Sequence, residues 1–292
     1  MKLSPAFLQR LEAFPSLFQF RYSFYIPKEG KRKNKHRFGY GSEFSQHRKY
    51  NPGDDIRYID WKLYARSQSF YIKNYSAEES QHVYILADIS KSMDFGSPSK
   101  LDFAFSLSAG LSLLSLRSLD RVSIFLWDKS IRQNLTNLRG TPAFSKVICF
   151  LESTRSSHNA TDLVATCREL LNMKTIPGPI WIISDFYDIS AFDHALSLLC
   201  NHRFLPLPIR VLNRNESTFN HSRHCMLIDS ETGNSQLFFP TESNKREYAG
   251  QFERLTSQLR EISHAHNVIF REATTDHPVE DFLIRLLKDY QL

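Results

Sequence analysis

Three segments of the 292-residue chain carry oxygen-bearing side chains at spacings that suit a metal site. The first segment holds Asp88, Ser90 and Ser92 in an Asp-x-Ser-x-Ser pattern, and the other two hold Thr161 and Asp185. The set offers two carboxylates and three hydroxyls, and oxygen ligands are the ligands that a hard cation such as Mg²⁺ prefers. The residue types therefore predict a Mg²⁺ or Mn²⁺ site, provided that the fold brings the segments together.

The strands and the helix predicted around these residues would bring the three segments together. Residues 82–88 (HVYILAD) and 179–185 (PIWIISD) are apolar runs that end in Asp, which is typical of buried parallel strands. Residues 161–173 are predicted to form a helix that follows a polar loop. Because ligands bind beyond the carboxyl ends of parallel strands, we expect Asp88 and Asp185 to lie at one edge of a sheet.

The rest of the chain alternates between strand and helix patterns, which predicts an α/β fold with a mostly parallel sheet flanked by helices. Strands are predicted at residues 68–76, 82–88, 121–127, 179–185, 204–212, 224–229, 235–239 and 267–272. Helices are predicted at residues 3–20, 100–117, 141–153, 161–173, 189–201, 243–266 and 278–290. We place a small N-terminal α+β extension at residues 1–78 and the main domain at residues 79–292.

The formal charge of +6 is concentrated near the N-terminus. Residues 28–37 (KEGKRKNKHR) hold six basic residues and one Glu. This segment suits an anionic membrane surface, a nucleic acid or an acidic protein partner, or it is a solvated loop. No RNA-binding motif surrounds it, so nucleic acid is not the partner that we expect.

Targeting signals are not evident in the sequence. Arg10 and Glu12 interrupt the apolar N-terminus, and no run of about 18 apolar residues occurs. The four cysteines lie far apart without a CxxC motif, which indicates reduced thiols. We therefore expect a cytoplasmic protein that does not cross a membrane.

The five oxygen-bearing residues resemble the metal-ion-dependent adhesion site (MIDAS) of von Willebrand factor A domains, in which an Asp-x-Ser-x-Ser motif is followed by a Thr and a later Asp. The resemblance implies a Rossmann-like fold in which Ser90, Ser92 and Thr161 bind Mg²⁺ directly. It implies that Asp88 and Asp185 bind through water and that a carboxylate from a partner fills the open position.

Residues 50–66 (YNPGDDIRYIDWKLYAR) resemble the bacterial family called domain of unknown function 58, which joins a PGDD-x-R-x-IDW segment to a von Willebrand A-type domain. Members of this family are commonly encoded beside MoxR-type AAA+ ATPases, which implies such an ATPase or its client as the partner. In the PGDD segment we expect Asp54 to cap a short helix, Arg57 to pair with Asp60, and Trp61 to anchor the segment against the body of the protein. The segment is then either a brace or a recognition surface.

We therefore expect a non-catalytic, metal-dependent protein–protein interaction module that acts in the assembly or remodelling of protein complexes. One alternative is a metal-dependent phosphoester hydrolase in which Asp88 or Asp185 handles protons and Lys91 is the only cation nearby. Another is a nucleic-acid or membrane-surface adaptor that works through residues 28–37.

Overall fold

The computed structural model describes residue 9 and residues 43–51, 56–76, 80–157, 159–217, 225–228, 235–238 and 241–290. The described residues form two compact units that divide between Ser80 and Gln81. The basic segment 28–37, the predicted helix 3–20 and the predicted helix cap Asp54 lie outside the described residues.

The smaller unit contains two antiparallel strands and one short helix: β1 (Glu43–Lys49), α1 (Trp61–Ser67) and β2 (Tyr71–Ser76). The side chain of Asp60 caps α1, because its Oδ1 accepts hydrogen bonds from the backbone N–H groups of Lys62 and Leu63. The side chain of Trp61, the first residue of α1, is 60% exposed. Among the side chains of this unit that the structure describes, Ile59 and Ile72 are the buried apolar ones.

A six-stranded sheet forms the centre of the larger unit. In spatial order its strands are β10 (Arg271–Thr274), β7 (Leu205–Leu212), β6 (Pro179–Ser184), β3 (His82–Asp88), β4 (Arg121–Trp127) and β5 (Ile131–Arg139). Five strands are parallel and β5 is antiparallel to β4. The chain proceeds from β3 toward one edge and then returns to build the other half from β6, so the strand order reverses between β3 and β6. Such a reversal is where ligands bind in open α/β sheets.

Helices cover both faces of this sheet. They are α2 (Lys100–Arg117), α3 (Phe144–Ser153), α4 (Leu163–Asn172), α5 (Ile189–Asn201), α6 (Arg214–Ser217), α7 (Glu242–Ala265) and α8 (Val279–Tyr290). A separate hairpin pairs β8 (Cys225–Ile228) with β9 (Ser235–Phe238). The apolar core has two layers, with α2, α3 and α8 on one face and α4, α5 and α7 on the other. This arrangement confirms the predicted α/β fold with a mostly parallel sheet flanked by helices.

Helix α2 is almost completely enclosed by the core. Two of its buried serines satisfy their hydroxyls within the helix, because Ser108 donates to the carbonyl of Ala104 and Ser112 donates to the carbonyl of Ser108, each at 2.7 Å. The buried hydroxyl of a third, Ser115, has no hydrogen-bond partner among the residues that the structure describes. No helix among the described residues is long and apolar enough to cross a membrane.

Candidate metal centre

The predicted metal-binding residues lie at the carboxyl edge of the sheet, where β3 and β6 are neighbours. A cavity of about 1060 Å³ opens there, and Ser92, Thr161 and Asp185 are among the residues that line it. Asp88 and Ser90 are fully buried and are not among the residues that line this cavity. The fold thus gathers the three segments, which lie up to about a hundred residues apart in the sequence, around one edge of the sheet.

The Asp-x-Ser-x-Ser loop has a fixed local geometry. Asp88 ends β3, and its Oδ1 accepts a hydrogen bond from the backbone N–H of Ser90 at 2.8 Å, while Oδ2 accepts from the hydroxyl of Ser184 at 2.6 Å. The hydroxyls of Ser90 and Ser92 form a hydrogen bond of 3.0 Å with each other. Two oxygens bound at right angles to one Mg²⁺ are separated by about 3.0 Å, so this pair suits neighbouring ligands of one cation.

The buried carboxylate of Asp88 is costly to ionise. Burial raises its pKa first, the negative charge of Asp185 raises it further, and hydrogen bonds from Ser184 and Ser90 only partly oppose both effects. The resulting pKa is about 7, compared with an ordinary value of 3.8. A cation in the site would favour the ionised form, because opposite charge lowers the pKa of a carboxyl group.

The carboxylate of Asp185 is bound by a buried lysine. Lys100 Nζ is 2.9 Å from Asp185 Oδ2 and 2.5 Å from Glu216 Oε1, and the lysine side chain is fully buried. Burial disfavours the ammonium, but the charges of Asp185 and Glu216 outweigh it and raise the pKa of Lys100. The expectation that Lys91 is the only cation nearby is therefore wrong, although Lys91 does line the cavity.

A second buried aspartate holds the loop that carries Thr161. Asp128 follows β4, and its carboxylate accepts hydrogen bonds from Arg132 Nε at 2.6 Å and from Asn159 Nδ2 at 2.9 Å. Its backbone carbonyl accepts the N–H of Asp162, the residue after Thr161, at 2.9 Å. Burial opposes ionisation of Asp128, but the hydrogen bonds from Arg132 and Asn159 outweigh burial and lower its pKa to about 2. Asp128 is thus a charged anchor for this loop.

Sequence reasoning missed both Lys100 and Asp128, although each had a signal. Lys100 is the first residue of α2, where the helix dipole disfavours a positive charge, so a lysine there indicates a specific partner. Asp128 directly follows the apolar strand β4, just as Asp185 directly follows β6, and Asp88 is the last residue of β3.

The rim of the cavity combines negative charge with exposed aromatic rings. Four acidic residues and one basic residue line the cavity: Asp94, Asp185, Asp188, Glu216 and Lys91. The rings of Phe95 and Tyr187 also line it and are 47% and 45% exposed. The cavity therefore attracts cations, and its rim offers apolar contact area.

The residue after Asp185 has a strained backbone. Phe186 has a φ of 51°, in the left-handed region that non-glycine residues rarely adopt. Its side chain is only 4% exposed and packs against Phe192, so core packing holds the backbone turn that directs Asp185 toward the cavity.

The donor set suits a hard cation. Its ligands are hydroxyl and carboxylate oxygens, and the mutual repulsion of Asp88 and Asp185 is the kind of repulsion that a cation relieves. Within the described part of the chain, no group of three or more His, Cys, Asp and Glu residues is placed to hold a metal ion. Any cation at this edge therefore depends on the hydroxyls as much as on the carboxylates.

Some known proteins are similar to parts of this chain. Uncharacterized proteins of Mycobacterium bovis and Mycobacterium tuberculosis are 34% identical over 79 residues, which is 26% of this chain and 25% of each relative. The match thus spans about a quarter of the length of these curated relatives.

Several solved structures are similar at low identity. BatB from Bacteroides thetaiotaomicron is 16% identical, with a TM-score of 0.44 over 73% of this chain and 99% of that one. An aerotolerance-related membrane protein from Bacteroides fragilis is 16% identical, with a TM-score of 0.42 over 72% and 100%. The manganese-loaded TRAP protein of Plasmodium vivax is 19% identical, with a TM-score of 0.36 over 46% and 58%.

A family model shows the membership of this chain. The model described as a protein of unknown function, DUF58, matches residues 46–261, which is most of the chain. The match covers the Asp-x-Ser-x-Ser loop, Thr161 and Asp185. The chain therefore belongs to the DUF58 family.

Proposed function

We propose that this chain is a non-catalytic protein-binding module that holds a divalent cation, Mg²⁺ or Mn²⁺, at the carboxyl edge of the sheet beside the cavity. Ser90, Ser92 and Thr161 would bind the cation directly, and Asp88 and Asp185 would bind it through water. A bound cation supplies an electrophilic centre for an acidic side chain of the partner. The observation that carries this proposal is the meeting of the three segments at one sheet edge, with Ser90 and Ser92 hydroxyls at the spacing of neighbouring metal ligands.

The charge of the cavity gives the proposal a further consequence. Because four of the five charged residues that line the cavity are acidic, an acidic partner is repelled from the cavity when no cation is bound. A basic partner would instead bind best to the metal-free protein. Dependence of partner binding on the divalent cation therefore distinguishes the two kinds of partner.

We propose a MoxR-type AAA+ ATPase, or a client of one, as the partner, and the assembly or remodelling of protein complexes as the setting. This proposal rests on the family resemblance and on the exposed rings of Phe95 and Tyr187, which supply apolar contact beside the acidic cavity. A pull-down of the full chain with a purified MoxR-type ATPase tests it. Capture should require Mg²⁺ and should be lost in Asp88→Ala.

Isothermal titration calorimetry with Mg²⁺ and Mn²⁺ tests the metal directly. The wild type and the control Asp281→Ala, which removes an exposed carboxylate on α8, should release equal heats. Asp88→Ala should release none. Equal heats in all three proteins, or no heat in the wild type, would contradict the proposal. Turnover of a phosphoester that disappears in Asp88→Ala would instead favour a hydrolase.

A further inference from the structure

Three basic side chains form a row at the other edge of the sheet, where the parallel strands begin. His82 begins β3, Arg121 begins β4 and Arg139 ends the antiparallel β5. His82 is paired with Arg121, and Arg121 is paired with Arg139. Residues paired in register on neighbouring strands point to the same face, and the strands are about 4.8 Å apart. We call these three residues the basic row.

The described residues offer the basic row no carboxylate as an ion-pair partner. Among the described residues, none of its three members forms an ion pair with a carboxylate. The nearest carboxylate in sequence, that of Asp120, accepts the backbone N–H of Gln81 at 2.9 Å. His82 Nε2 and Arg121 Nε are buried and have no hydrogen-bond partner.

This arrangement is unfavourable without a ligand. Like charges directly opposite each other on neighbouring strands destabilise a sheet, and Arg121 and Arg139 are such a pair. Burial and then the charges of Arg121 and Arg139 lower the pKa of His82, so this histidine is kept neutral beside the two guanidinium groups. Buried polar atoms without partners are rare in native proteins, and a bound water or ion is a common reason for them.

We propose that the basic row binds a tetrahedral oxyanion of the phosphate class, held between the outer nitrogens of Arg121 and Arg139. Guanidinium groups bind phosphate oxygens in pairs, and two of them on adjacent strands can hold one phosphate group from both sides. Arg139 is exposed and Arg121 is half-buried, so the ligand is reached from the surface. The row lies at the opposite end of β3 from Asp88, so this site is independent of the proposed metal centre.

Titration calorimetry of the full chain with inorganic phosphate, at constant ionic strength and without divalent cations, tests this inference. Losing a charge-assisted hydrogen-bond donor weakens binding by about tenfold or more, which is the effect expected for Arg121→Gln. Arg121→Gln/Arg139→Gln should abolish binding. The control Arg254→Gln, which removes one exposed arginine from α7, should bind as the wild type does.

A second comparison identifies the source of the phosphate group. Tighter binding of a phosphoserine peptide than of inorganic phosphate indicates a phosphorylated protein as the ligand, and the reverse indicates free phosphate. The double variant should also melt at a higher temperature than the wild type in chloride buffer, because the positive charges of Arg121 and Arg139 no longer repel each other. Equal phosphate binding by the double variant and the wild type overturns the inference, as does an equal loss in Arg254→Gln.

Discussion

Replacing Asp88 by Asn should make the metal-free protein more stable at neutral pH while removing its metal binding. Asp88 is fully buried at the end of β3 and has a pKa of about 7, raised by burial and then by the charge of Asp185. At pH 8 the wild type must therefore keep a disfavoured negative charge in its interior. Asparagine has nearly the same shape without the charge, so the variant avoids this cost.

The size of the effect follows from the two pKa values. The folded value of about 7 lies above the ordinary value of 3.8, which stands for the unfolded chain. Between these values the folded state holds more protons than the unfolded state, so the unfolding free energy of the wild type falls as the pH rises. The unfolding free energy changes by about 1.4 kcal/mol per pH unit in this range, so it falls by about 4 kcal/mol between the ordinary and the folded pKa of Asp88. The variant should match the wild type near pH 4 and exceed it by up to that amount at pH 8.

Urea unfolding of metal-free protein at several pH values between 4 and 8 measures this difference. The control is Asp94→Asn, which removes an exposed carboxylate from the same cavity and should show no comparable gain. Addition of Mg²⁺ should stabilise the wild type by about 2.7 kcal/mol at a hundred times its dissociation constant, and it should leave Asp88→Asn unchanged. The reasoning is refuted if Asp88→Asn is less stable than the wild type at pH 8, or if the two proteins have the same pH profile.

Three further substitutions test other parts of the structure. Lys100→Met leaves two carboxylates without their buried partner and should lower the unfolding free energy by about 3–5 kcal/mol in urea, whereas the exposed Lys91→Met should cost little. Asp128→Asn weakens the anchor of the loop that carries Thr161, so calorimetry should show at least about tenfold weaker Mn²⁺ binding. Its melting temperature should change less than that of Lys100→Met. Gly110→Ala places a methyl group 2.4 Å from Cδ1 of Leu283 and should destabilise the protein by about 1–3 kcal/mol in thermal or urea unfolding.

Each of these predictions has an outcome that contradicts it. Equal stability of Lys100→Met and Lys91→Met would mean that the buried ion pairs are not formed. Unchanged Mn²⁺ affinity in Asp128→Asn would show that the loop keeps its position without the charged anchor. A neutral Gly110→Ala would show that α8 can move away from α2 at no cost.

The central part of the fold was predictable because its segments are apolar and clearly periodic. The runs at residues 82–88 and 179–185 gave β3 and β6, and the predicted helix at residues 100–117 matches α2. Strand β5 was missed because Ile131–Arg139 lies at the edge of the sheet with mostly exposed polar side chains, so no apolar pattern marks it. Strand β1 was missed as well, since its polar residues pair with one strand only.

The candidate site was predictable only where its residues follow one another in a motif. Asp88, Ser90 and Ser92 stand in a recognisable order, and Asp185 closes an apolar run. Lys100 contacts Asp185 across 85 residues of sequence, and that contact arises from the packing of α2 beside β6 rather than from any local pattern. Long-range partners of this kind require the tertiary structure.

Helix α2 has a consequence for how the molecule exchanges its amide hydrogens. The buried hydroxyls of Ser108 and Ser112 are satisfied by carbonyls of the same helix, so these two polar groups can be enclosed in the core without outside partners. Amides near its centre should exchange with deuterium only when the whole domain unfolds, whereas loops 89–99 and 155–162 should exchange through local opening. Helix α2 would then unfold locally only rarely, while the loops at the candidate metal centre would open often. Deuterium uptake would locate the boundary between the two regions.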